Sequence, residues 1–214
     1  MKSIGFYIFA VIIISLSSCK WKSKEKETAA MDTFEEPYVA TCRTVIIQPF
    51  DGFPEYLSES LYMQIREINP AAELKKSLPL PGGAYDDRYE SYRADLLLDN
   101  LKKGYDAKKY IVLGVTHADL IRLNEEGLEQ STMGLAAISG HVCVVSSYQL
   151  SKNVMDDQLF RLSMHEIGHT EGLQHCKRYR SCYMYRGLRR TNFWGKADFC
   201  PGCKLYMVLK GWEM

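Results

Sequence analysis

The segment His165-Glu166-Ile167-Gly168-His169-Thr170-Glu171-Gly172-Leu173-Gln174-His175 gathers three imidazoles, two carboxylates and two glycines. His165 and His169 are four residues apart, so on a helix they share one face and can grip one metal ion. Glu166 follows the first histidine and can reach a water on that metal. Gly172 lets the chain leave the helix in a left-handed conformation and turn back, bringing His175 up as a third ligand. Three protein ligands leave a fourth position for water, the open coordination of a catalytic zinc rather than the closed one of a structural zinc. In such a site zinc polarises a carbonyl and acidifies water, and Glu166 is the general base. The bland alternative is a helix with solvated histidines.

Cysteine supplies a second constellation. Cys176, Cys182, Cys200 and Cys203 cluster within the last forty residues or so, and four thiolates complete a tetrahedral zinc set. Two disulfides are the alternative in an oxidising compartment. Cys42 and Cys143 lie in apolar, strand-like runs and read as buried free thiols.

The combined string, His-Glu-x-x-His-x-x-Gly-x-x-His-Cys, then Cys182-Tyr183-Met184, then Cys200-Pro201-Gly202-Cys203, resembles the archaemetzincin family of metallopeptidases. The match is specific from Arg161 to Cys203 and looser over Lys109 to Leu120 and Ser139 to Leu150. The gap between Cys176 and Cys182 is one residue longer than in the family, and that between Met184 and Cys200 two residues shorter. The resemblance implies an α+β, metzincin-like fold: a mixed sheet with helices in an upper half, a zinc-binding active-site helix, and a small irregular C-terminal half from about Leu173. It implies two zinc ions, a catalytic one on His165, His169 and His175 and a structural one on Cys176, Cys182, Cys200 and Cys203. Met184 would form a methionine turn beneath the ligands. Met133 to Ala137 is the candidate edge strand against which a peptide would lie. Tyr183 and Tyr185 are candidate donors to an oxyanion, although Arg186 stands where some metzincins carry a tyrosine ligand.

The chain has 214 residues, 46% of them hydrophobic, enough for one domain with a sizeable core. A net charge of +1 gives no field that points to nucleic acid. Lys2 and the apolar run Gly5 to Leu16 have the make-up of an export signal, too short to span a bilayer comfortably. The run ends in Leu16-Ser17-Ser18-Cys19, which looks like a bacterial lipobox. Residues 1–18 are therefore expected to be a lipoprotein signal and Cys19 the lipidated residue, with a plain secretory signal or an uncleaved anchor as alternatives. Residues 19–38 read as a charged, flexible tether, and 39–214 as the catalytic domain. The expected setting is the bacterial cell envelope, with a monomer held to the membrane by its lipid.

The elements that must position these residues are partly visible. Thr44 to Phe50 reads as a first strand, Pro54 to Ile68 as a helix, and Ala72 to Leu80 as a region with a second strand. Asp86 to Lys103 reads as one helix with Tyr92, Leu96, Leu97 and Leu101 in a stripe, stopped by Gly104. Tyr110 to Val115 is a buried strand, and Asp119 after it a cap or turn residue. Met133 to Val145 reads as two strands split at Ser139-Gly140-His141. Asp156 and Asp157 suit the start of the zinc helix, whose Phe160, Met164 and Ile167 should face the core. Lys177, Arg178, Arg180, Arg186, Arg189 and Arg190 form a basic stretch, most simply a solvated face.

These readings favour a zinc-dependent metallopeptidase acting on peptide or protein substrates, with no nucleic-acid partner. A non-catalytic zinc-binding lipoprotein used as a binding module is the alternative. Hydrolysis of non-peptide amides would use the same residues.

Overall fold

The computed structural model describes residues 42–124, 126–186 and 197–214, all within a compact unit running from Val39 to Met214. The signal and tether segments, with Cys19, lie outside the described residues, as do Arg189 and Arg190.

Five strands form the main sheet: β1 (Thr44–Pro49), β2 (Glu73–Leu74), β5 (Tyr110–Thr116), β8 (Gly134–Ala136) and β9 (Val142–Ser146), in the order β2-β1-β5-β9-β8. Pairing is parallel from β2 through β9, and β8 joins antiparallel as the edge strand. The central strands are apolar on both sides, as a sheet covered on both faces requires. Val45, Ile47, Ile111, Leu113, Val115, Cys143 and Val145 pack on one face with α1 (Glu55–Arg66) and α3 (Met155–Glu171). Ile46, Val112, Val142 and Val144 point the other way, to α2 (Ala94–Leu101).

The expected helix over Asp86 to Lys103 is only half helix. Its first part is strand, and it joins a second sheet of order β3-β4-β6-β7, made of β3 (Tyr85–Asp86), β4 (Ser91–Arg93), β6 (Leu120–Leu123) and β7 (Glu129–Thr132). Tyr92, assigned above to the helical stripe, pairs with Leu120 in β6 and stacks edge-on against Tyr85 at 5.1 Å. Those partners are distant in sequence, and they override the local helical pattern. The strand expected within Ala72 to Leu80 is short, followed by a single bridge from Leu78 to Phe50.

The C-terminal segment is also more regular than expected. Pro201–Leu209 is a nine-residue helix, α4, with Cys200 as its N-cap and proline in its first turn, where the missing N–H costs nothing. Leu173, Cys182, Tyr183, Met184, Phe199, Met207 and Trp212 join the same core as α1 and α3, so the small lower half shares the main core.

Candidate active site

Helix α3 presents the histidines. Asp156 and Asp157 occupy its first turn, where the helix dipole favours negative charge. Met164 and Ile167 are fully buried on its core side. Gly172 ends the helix at φ 105°, in the left-handed region, and the Leu173 N–H closes on the Gly168 carbonyl at 2.9 Å. The chain thereby reverses, as the spacing requires, and carries His175 back to the helix.

The three ring systems converge. His165 Nε2 and His169 Nε2 lie 3.1 Å apart, and one nitrogen from each of His165, His169 and His175 falls within 4.8 Å of the others. Two nitrogens on one tetrahedral zinc would sit ~3.3 Å apart, given Zn–N bonds of ~2.05 Å. The remaining nitrogens explain the orientation. His165 Nδ1 meets the Tyr183 carbonyl at 2.6 Å, and His169 Nδ1 meets the Leu173 carbonyl at 2.8 Å. A carbonyl can only accept, so both Nδ1 atoms carry the proton and both Nε2 atoms offer a lone pair to the shared point. Burial lowers the His169 pKa, against an opposing pull from the Leu173 carbonyl, and so favours the neutral imidazole that a metal needs. The donor set and spacing fit zinc.

Glu166, only 5% exposed, lies against Gly134 at the start of the edge strand β8. On the next turn-face, Gly168 receives Met184: a Cβ at Gly168 would collide with the methionine sulfur. Met184 is fully buried against Gly168 of the helix.

The cysteines form a second cluster. The Sγ atoms of Cys176, Cys182, Cys200 and Cys203 all lie within 4.8 Å of one another, and Cys176 and Cys200 are 3.9 Å apart. A disulfide needs ~2.05 Å, whereas two thiolates on one tetrahedral zinc sit ~3.8 Å apart for Zn–S bonds of ~2.3 Å. The described cysteines are all unpaired, and the cluster fits a metal. Burial raises the Cys200 thiol, but hydrogen bonds from Cys203, Cys182 and Cys176 outweigh it and leave the pKa lowered. The two clusters are knit by backbone bonds: the Cys176 N–H donates to the Met184 carbonyl at 2.7 Å, and the Tyr183 N–H to Asp198 at 3.1 Å.

One expectation changes here and others hold. The Tyr183 ring packs edge-on between Phe160 and Phe199, and burial pushes its phenol up to about 12. Its part in the site is the carbonyl that holds His165, a role no side-chain motif could announce. Asp119 organises a turn, accepting from Leu120 N–H, Ser91 and Gln149. Lys177, Arg178, Arg180 and Arg186 are exposed. Cys143 is fully buried, as expected, and Cys42 partly so. Gly134, the two carbonyls and Arg43, which braces the far end of α3, were not foreseen.

Comparison with known proteins agrees with this geometry. An archaemetzincin of Methanopyrus kandleri is 34% identical over 157 residues, covering 72% of this chain and 82% of that protein. An archaemetzincin of Halobacterium salinarum is 27% identical over 173 residues, covering 75% of this chain and 96% of that one. The crystal structure of the Methanopyrus kandleri archaemetzincin superposes with a TM-score of 0.62 at 27% identity, over 81% of this chain and 98% of that chain. The structure from Archaeoglobus fulgidus, complexed with malonate, shares the fold at 21% identity and a TM-score of 0.62. No family model matches the chain. The mixed α+β fold and the histidine site together define a zinc-dependent metallopeptidase, and the binding-module alternative is not favoured. Within that class, the chain belongs to the archaemetzincin family.

Proposed function

We propose that the chain hydrolyses peptide bonds with a catalytic zinc on His165, His169 and His175 and with Glu166 as general base. The observation that carries this reading is the 3.1 Å approach of two Nε2 atoms whose rings are fixed by carbonyls at Nδ1. Zinc bound there would supply Lewis acidity, polarising a carbonyl and bringing the pKa of water down towards ~7. Glu166 takes the proton of the attacking water and passes it to the leaving amine. Strand β8 is at the sheet edge, so its outer backbone groups suit an extended peptide that adds as a further strand.

A second, structural zinc on Cys176, Cys182, Cys200 and Cys203 completes the reading, supported by the sulfur spacing. It staples the Leu173–Met184 segment and the start of α4 together. The protein acts as a monomer on peptide or protein substrates. Cys19 is its lipid anchor, which holds it to a membrane of the bacterial envelope; the support for this is the apolar run and small residues before Cys19.

The test is a peptide library incubated with the zinc-loaded protein, with products identified by mass spectrometry. Hydrolysis should stop with a chelator. The Glu166→Gln variant should keep its zinc and lose ~100- to 10,000-fold in rate. A Gln variant above about a tenth of the wild-type rate removes Glu166 from the role of base.

A further inference from the structure

Gly134 opens β8, paired across from Val145. Its φ is not positive, so the backbone there would accept any L-residue. A glycine inside a strand loses entropy on folding and packs nothing, so its presence calls for a cause. The cause is the close approach of Glu166. A Cβ on Gly134 would stand 2.7 Å from Oε1 and 3.0 Å from both Cδ and Cγ of Glu166. The carboxyl group thus lies along the bare Cα of the edge strand.

Neither backbone has room to yield. The Thr132 hydroxyl donates to the Gly134 carbonyl at 2.6 Å, and β8 is held in register by β9. Helix α3 is stopped on another side, where Gly168 meets Met184, and is held through its histidines by the Tyr183 and Leu173 carbonyls. An added methyl would therefore displace the Glu166 side chain rather than the strand or the helix.

We infer that Gly134 is a positioning residue for Glu166: β8 lacks a side chain at this position so that the carboxylate can hold its place beside the metal-binding histidines. The inference rests on Glu166 being the general base. It links two functions on one strand, since the element whose edge suits a peptide backbone also sets the place of the group that activates water.

The test is Gly134→Ala in the full chain, with kcat, KM, bound zinc and melting temperature measured together. A misplaced base at unchanged metal should lower kcat ~100-fold with KM little altered. Zinc content should stay at the wild-type value, and the melting temperature should drop only modestly, because the methyl crowds one buried side chain while alanine otherwise suits a strand at least as well as glycine. Glu166→Asp, shorter by one methylene, relieves the contacts at Oε1 and Cδ and leaves the one at Cγ. In the Gly134→Ala background it should cost far less than it does alone. In the Glu166→Gln background, Gly134→Ala should cost nothing further. A Gly134→Ala enzyme within about threefold of wild type, or one that loses zinc or fails to fold, overturns the inference. Full rate in Gly134→Ala beside an inactive Glu166→Gln sinks this inference alone; a fully active Glu166→Gln sinks the base assignment and the inference with it.

Discussion

Arg43 Nη2 lies 3.1 Å from Glu171 Oε2, joining the residue just before β1 to the last residue of the zinc helix. The same guanidinium donates to the Gly140 carbonyl at 2.7 Å and the Thr170 carbonyl at 3.0 Å. Glu171 also accepts from the Trp212 indole at 3.2 Å, and its carbonyl from the Tyr206 hydroxyl at 2.9 Å. A cation at the C-terminal end of a helix is well placed against the dipole, and both charges are largely buried. Arg43→Met should leave Glu171 as an uncompensated buried charge. That typically costs about 3–5 kcal/mol, and for a chain of this size the melting temperature should fall by about 10 °C. An unchanged thermal transition would show that the pair carries no net stability.

Gly168→Ala tests the fit between the helix and Met184. In an exposed helix, alanine would gain about 1 kcal/mol over glycine. Here the added methyl meets a buried sulfur, and overpacking costs about 1–3 kcal/mol. The variant should be destabilised and bind zinc more weakly at the histidines, because Tyr183, whose carbonyl holds His165, adjoins Met184. Metal titration and a denaturant curve measure both effects; a stabilised variant with full zinc affinity would refute the fit.

Tyr183→Phe should be nearly silent in catalysis. Its ring sits between two phenylalanines, and its contact with the site is a backbone carbonyl that the substitution leaves in place. The expected kcat/KM is within about twofold of wild type. A drop of ~100-fold would return the phenol to the role of oxyanion donor.

The histidine site was legible because it is local. His165, Glu166, His169, Gly172 and His175 need only one helix and one turn, and both follow from spacing and a glycine. The cysteines were legible as a set of types, yet the meeting of Cys176 with Cys200 depends on α4 and on bridges such as Cys182 to Asp198. What stayed hidden was non-local. Tyr92 becomes strand through Leu120, and Arg43 finds Glu171 across the whole domain. Gly134 looked like an ordinary residue of an apolar run, because nothing in its neighbours announces the carboxylate above it.

Purified protein should hold two zinc ions per chain. A chelator should strip the histidine site first and abolish activity, because that site keeps an exchangeable position. Removing the second ion should release four titratable thiols and lower the melting temperature. One zinc per chain, with the four cysteines silent to thiol reagents until reduced, would replace the second site by disulfides and leave the peptidase reading standing.

Cys19→Ala should abolish incorporation of labelled fatty acid and leave a precursor heavier by residues 1–18, because acylation needs the Cys19 sulfur and the acyl chains supply the membrane anchorage. A wild-type chain that takes up no label, or a variant that still takes it up, would remove Cys19 from the role of lipid anchor.

The bonds that aim His165 and His169 come from the carbonyls of Tyr183 and Leu173, and the next residue after Tyr183 receives the N–H of Cys176. One segment therefore carries the backbone contacts of both the cysteine cluster and the histidine cluster. An ion that closed the thiols would fix the segment that presents those carbonyls, and so would raise the affinity of the histidines for theirs; by reciprocity, metal on the histidines would tighten the thiol site by the same factor. Oxidant reaching the thiols would act at a distance, by loosening the acceptors that choose the imidazole tautomers.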